Sequence, residues 1–140
     1  MNDIRPSETD LSLDNAKEII DNAKTIAIVG ISNDEDKASY RVAKYLKENG
    51  YKIILINPKY TEILGETCYP DLKSYTGHID IVDIFRKQEF VPEIVDEAIE
   101  IQADTVWLQL GIVNNEAADK AREAGLKVVM NKCTKIEHSR

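Results

Sequence analysis

Five short apolar runs, each stopped by a turn residue, constrain the fold of this chain more than any other feature. They are "TIAIVG" (25–30), "YKIILINP" (51–58), "DIVDIF" (80–85), "TVWLQLG" (105–111) and "LKVVMN" (126–131). Near-continuous, β-branched runs of this length suit strands buried on both faces of a sheet. Helical patterns recur between them. In residues 39–49, Val42, Ala43, Tyr45 and Leu46 share one stripe, and Gly50 stands where a helix-ending glycine belongs. "VPEIVDEAIEIQA" (91–103) tolerates Pro92 in a first turn, and "NNEAADKAREAG" (114–125) opens on an asparagine cap and closes at Gly125. A short leading helix is expected after Asp14, where Ala16, Ile19, Ile20 and Ala23 fall at helical spacing.

Strands alternating with helices imply right-handed crossovers and a parallel sheet covered on both faces. The expected fold is therefore α/β, a Rossmann-like three-layer domain with a five-stranded parallel sheet in the order 3-2-1-4-5. Residues 13–140 are expected to form this single domain, and residues 1–12, which lack periodicity, to fray. The link 58–79 carries Gly65, Pro70 and Gly77 and reads as loop, with a short extended piece near Glu66 to Tyr69 and one helical turn around Leu72.

Charge and composition narrow the function. A net charge of -7 speaks against duplex nucleic acid, which requires clustered Lys and Arg. No apolar run approaches the roughly 20 residues that span a bilayer, and the polar, acidic start is unlike a secretory leader. The expectation is a cytoplasmic protein whose two distant cysteines, Cys68 and Cys133, are reduced thiols. Only two histidines, His78 and His138, are present, which argues against a His-rich metal site, and both read as surface residues.

Ligands of open parallel sheets sit over the carboxyl ends of the strands, beside the first strand. At the first end, Gly30 lets the backbone turn sharply, Ser32 and Ser39 add hydroxyls, Arg41 adds a charged fork, and a helix begins near Ser39. That set can cradle a phosphate; it is also what an ordinary strand-to-helix turn contains. The second end, "INPKY", offers Asn57, Pro58 and Lys59 in place of the carboxylate that a NAD ribose needs. Lys59 either meets an additional phosphate, as in NADP or coenzyme A, or is a solvated loop lysine. At the third end, Phe85 and Arg86 either line a ligand or divide between core and surface. Trp107 and Leu108 read as core, whereas Gln109 can bond a polar ligand group and Gly111 opens room. Cys133 is either a buried inert thiol or, with Lys132 or Lys135 close, a reactive thiolate.

The stretches "IAIVGIS", "SYRVAKYLKENGYKIILINPK", "ILGETCYPDL", "DIVDIFR", "VWLQLGIVNNEAADKAREAGLKVVMNKC" and "KIEH" resemble the small standalone CoA-binding domain proteins. The fold of that family is similar to the amino-terminal CoA-binding domain of the succinyl-CoA synthetase alpha subunit. The resemblance implies coenzyme A as ligand. It assigns Gly30, Ser32 and Ser39 to the CoA phosphates with Arg41 in support, and Asn57, Pro58 and Lys59 to the adenosine end. Phe85 and Arg86 would line the middle, and Gln109 and Gly111 the pantetheine side. Two departures stand out: Asn131 and Lys132 precede Cys133 where relatives usually carry Asp and Arg, and Ala38 stands where many have proline.

Nothing after the one sheet matches the synthetase domain that carries a phosphorylated histidine, so the expected role is a CoA or acyl-CoA binding module without chemistry. The alternatives are thiol, redox or acyl-transfer chemistry at Cys133, and an NADP-type nucleotide sensor. The expected partner is a small molecule; no stretch of the sequence marks a protein partner.

Overall fold

The structure, a computed structural model, describes residues 16–140. The Asp14 cap and the segment 1–12 lie outside the described residues. Helix α1 occupies 16–22. Then come strand β1 (Thr25–Val29), helix α2 (Ala38–Glu48), strands β2 (Lys52–Ile56), β3 (Glu62–Ile63), β4 (Glu66–Tyr69) and β5 (Ile81–Ile84), and helix α3 (Val91–Glu100). Strand β6 (Thr105–Leu108), helix α4 (Asn115–Glu123), strand β7 (Lys127–Met130) and helix α5 (Thr134–Ser139) complete the chain. Single 3-10 turns lie at Leu72–Ser74 and Gln88–Phe90.

One sheet runs β3-β4-β2-β1-β5-β6-β7, parallel throughout except for the antiparallel β3–β4 pair. The Rossmann-like α/β class expected from the sequence is the one observed, but the strand count and order need correction. The five long runs lie in the order 2-1-3-4-5: the third run, β5, pairs with β1 rather than beyond β2. The physical reason is that the edge of β2 is already taken. Leu55 and Ile56 pair in parallel with Cys68 and Tyr69 of β4, the short extended piece in the 58–79 link. The chain must then cross back over β1 before laying down β5.

Alternation along the strands sorts the core into two layers. Ile26 and Ile28 of β1, Leu55 and Trp107 pack with Ile20 of α1 and Val42, Ala43 and Leu46 of α2. Ala27 and Val29 face the other way, with Ile56 and Ile84, onto Val91 and Val95 of α3 and the alanines of α4. Burying each of the Val, Ile and Leu side chains stabilises the fold by about 1.5–3 kcal/mol. Local chemistry fixes the ends: Asn114 Oδ1 accepts from the Ala117 N–H at 2.9 Å, opening α4. Gly50 and Gly125 follow α2 and α4 with φ of 92° and 94°, values L side chains rarely adopt.

Helix α5 was not foreseen, and it corrects the placement of His138. That residue is half-buried, its Nδ1 2.7 Å from the Tyr45 hydroxyl and its ring edge-on to Tyr45 and Tyr51. His78 is exposed, as expected. No helix among the described residues is long and apolar enough to cross a membrane.

Candidate functional site

Register sets the site. Val29 pairs with Ile56 on one side and Ile84 on the other, so the next residues, Gly30, Asn57 and Phe85, emerge side by side at the carboxyl edge. β1 sends its connection to one side and receives β5 on the other, which makes this edge the switch point of the sheet. A groove of about 770 Å³ opens there, lined by Gly30, Ser32, Lys37, Ala38, Ser39, Asn57, Pro58, Lys59, Phe85, Arg86, Lys87 and Phe90.

Its electrostatics run against those of the whole chain. Four cations, Lys37, Lys59, Arg86 and Lys87, line the groove, and no carboxylate, histidine or cysteine among the described residues does. Helix α2 begins at its rim. Lys37, at the cap position, makes no side-chain cap bond among the described residues, and the first turn carries no acidic residue that would offset the positive end of the helix dipole from within the helix. The Ser32 N–H donates to the Ser39 hydroxyl at 3.1 Å, and the Asp34 N–H donates to the Ser32 hydroxyl at 3.0 Å. Both serine oxygens are thus oriented by backbone donors while their protons remain free to donate.

Gly30 is required twice. Its φ is +92°, and a Cβ there would lie 2.8 Å from Arg86 Cδ and 3.0 Å from the Phe85 carbonyl oxygen. The Arg86 stem therefore crosses the glycine, and its guanidinium ends over the Phe90 ring, 4.2 Å from the centroid. Asn57 joins two loops: its amide donates to the Ile31 carbonyl at 2.8 Å and accepts from the Lys59 N–H at 2.9 Å.

Beyond the Arg86–Phe90 pair lies a second cavity of about 470 Å³ that shares Gly30, Asn57, Pro58, Arg86 and Phe90 with the groove. Its far wall is acidic, formed by Asp71, Glu93, Asp96, Glu97 and Glu100 with Lys73. Burial holds the Glu97 carboxyl above its usual range, with Asp71 adding to the effect.

Eight of the twelve residues singled out in the sequence line the groove: Gly30, Ser32, Ser39, Asn57, Pro58, Lys59, Phe85 and Arg86. Arg41 is exposed and donates to the Asp36 carbonyl, bracing the loop rather than entering the groove. Gln109 is buried; its carbonyl accepts from the Thr134 N–H at 3.0 Å and lies 3.2 Å from the Thr134 hydroxyl. Gly111 is exposed and donates its N–H to Asn131 Oδ1 at 2.7 Å. Cys133 is half-buried against the α1–α2 layer, and Lys135 places its ammonium over the Tyr45 ring, 5.4 Å from the centroid. Cys68 is buried, which pushes its thiol upward from the usual range. Lys37, Lys87 and Phe90 were missed. The one usable signal was the aromatic four residues after Arg86.

One buried group stands behind the edge. Asp83, fully buried in β5, accepts from the Thr134 hydroxyl at 2.9 Å through Oδ2, while Oδ1 has no hydrogen-bond partner among the described residues. Burial raises its carboxyl well above the usual aspartate range, and the Thr134 bond opposes that only in part.

The family model described as a CoA binding domain matches residues 24–139. The Bacillus subtilis protein YneT, itself uncharacterized, is 41% identical over 123 residues, covering 88% of this chain and 91% of its own. An ADP-forming acetate–CoA ligase of Methanocaldococcus jannaschii is 39% identical over 74 residues, 53% of this chain but 10% of the ligase. Among solved structures, a hypothetical protein from Pyrococcus horikoshii OT3 superposes with a TM-score of 0.87 at 42% identity, covering 91% of this chain and 89% of that one. The chain belongs to the CoA-binding domain family.

Proposed function

We propose that the chain binds coenzyme A, or an acyl-CoA, in the groove over β1, β2 and β5, as a binding or regulatory module with no chemistry of its own. The observation that carries this reading is the groove's sign: among the described residues its lining holds four cations and no carboxylate, at the switch point of a chain whose net charge is -7. In this reading the α2 terminus, Ser32 and Ser39 receive the pyrophosphate. Lys59, beyond β2, meets the phosphate on the ribose, and Arg86 closes the groove against the remaining phosphate oxygens. Among the described residues the lining holds no histidine, cysteine or carboxylate, which supports binding over catalysis, and Cys133 lies outside it. The ligase of M. jannaschii carries an acetate–CoA activity in its name; we take the shared segment as its CoA-holding part. Two free thiols fit a reducing compartment, the cytoplasm.

The test is a calorimetric titration with CoA, 3'-dephospho-CoA and NADP. CoA is expected to bind with micromolar or tighter affinity. Removing the 3'-phosphate should weaken it about 10-fold or more, the scale of one charge-assisted hydrogen bond. NADP binding tighter than CoA would replace this reading with the nucleotide-sensor one.

A further inference from the structure

At the opposite, amino-terminal edge of the sheet, a set of donors converges that the CoA groove does not use. Asp80 immediately precedes β5 and Asp104 immediately precedes β6, and the Ile81–Thr105 pairing sets them side by side. His78, on the loop before Asp80, turns its Nε2 between them, 3.1 Å from Asp104 Oδ2 and 3.4 Å from Asp80 Oδ1. One donor atom from each of the three lies within 4.8 Å of the other two.

The 3.1 Å contact is a hydrogen bond between His78 and Asp104, and both histidine–carboxylate separations are also close to those of donors sharing an ion. A tetrahedral ion with bonds of about 2.0–2.1 Å holds neighbouring donors about 3.3 Å apart. Asp80 is also aimed from behind: its Oδ2 accepts from the Lys24 N–H at 2.7 Å and the Thr25 N–H at 3.0 Å, leaving Oδ1 toward His78. Such outer bonds orient ligating carboxylates in metal sites. A depression of about 130 Å³ beside the two carboxylates, with Glu18 and Asn22 of α1 on its wall, gives room for water on a fourth position. Lys127, also on that wall, opposes the carboxylates there. An imidazole among the donors selects first-row transition metals over Mg²⁺ and Ca²⁺.

We propose that His78, Asp80 and Asp104 form a binding site for a divalent transition-metal ion of the Zn²⁺ class, with solvent completing the coordination. The ion ties the starts of β1, β5 and β6 together. Lying at the far end of the strands from the groove, it acts on stability and leaves CoA binding unchanged.

The experiment strips the full chain with a chelator, then follows thermal unfolding and calorimetry on adding ZnCl₂, with MgCl₂ as control. Zn²⁺ at a hundredfold excess over its dissociation constant is expected to raise the unfolding midpoint by about 5–10 °C. His78→Gln and Asp104→Asn, at side chains 55% and 61% exposed, keep the fold intact and should each lower Zn²⁺ affinity at least 10-fold. Titration with Co²⁺ separates this site from the two cysteines, because thiolate ligation adds an intense charge-transfer band that nitrogen and oxygen donors lack. No midpoint shift with Zn²⁺, full affinity retained in His78→Gln, or a thiolate band with Co²⁺ overturns the proposal.

Discussion

The Arg86 guanidinium rests on the face of Phe90, 4.2 Å from the ring centroid, with its stem across Gly30. The ring holds a long, flexible cation at the mouth of the groove, so on the proposed function Phe90 would act on CoA through Arg86. A cation–π contact at a partly exposed site contributes about 0.5–1 kcal/mol. Phe90→Leu should therefore weaken CoA binding by about two- to fivefold, while Phe90→Tyr, which keeps the ring, should bind like the natural chain. Equal weakening in both variants would show that the ring face does not position Arg86.

Gly30→Ala places a methyl group against Arg86 and the Phe85 carbonyl at a positive φ. An L side chain in such a conformation costs about 1–3 kcal/mol, and relief requires moving the Arg86 stem. Urea unfolding should show that loss, and CoA affinity should fall with it. Unchanged stability would mean that the turn relaxes freely and does not need glycine.

Asn57 supplies a donor to Ile31 and an acceptor to Lys59, and it sits among cations. Asn57→Ala should destabilise the fold by about 1–2 kcal/mol through the unpaired groups it leaves. Asn57→Asp keeps the acceptor but adds a negative charge to the groove, so its CoA affinity should fall further than that of the alanine variant. The reverse ranking would contradict the electrostatic account.

Asp83 predicts a pH dependence. Its carboxyl is held well above the usual range by burial in the folded chain, so the folded state keeps a proton that the unfolded chain releases above about pH 4. Stability from this group is fully present below that pH and is lost as pH rises toward the folded value, by at most about 1.4 kcal/mol per unit. Asp83→Asn still accepts from the Thr134 hydroxyl but has no proton to lose. Its stability relative to the natural chain should therefore rise as pH is raised above about 4. Parallel profiles for the two proteins would mean that Asp83 is already ionised in the fold.

Much of this architecture was legible because buried parallel strands write themselves as continuous β-branched runs. Their ends then located Gly30, Asn57 and Phe85 without further information. The strand order was not legible, because Glu66–Tyr69 is four residues between glycine and proline, and nothing local declares that it takes the edge of β2. The site divided in the same way. Gln109 lies at a strand end as expected, yet its amide is occupied by Thr134, the first residue of a six-residue helix with too few turns to declare a period. Lys37 and Lys87 carry no pattern at all; only the folded loops bring them to the groove.

Amide chemical-shift mapping during a CoA titration reports whether CoA occupies the groove between α2 and the Arg86–Phe90 pair. Occupancy there should give saturable shifts at residues 30–39, 57–59 and 85–90, with Gln109 and Cys133 nearly unmoved. Shifts centred on Gln109, Gly111 and Cys133, or no shifts at millimolar CoA, would contradict it.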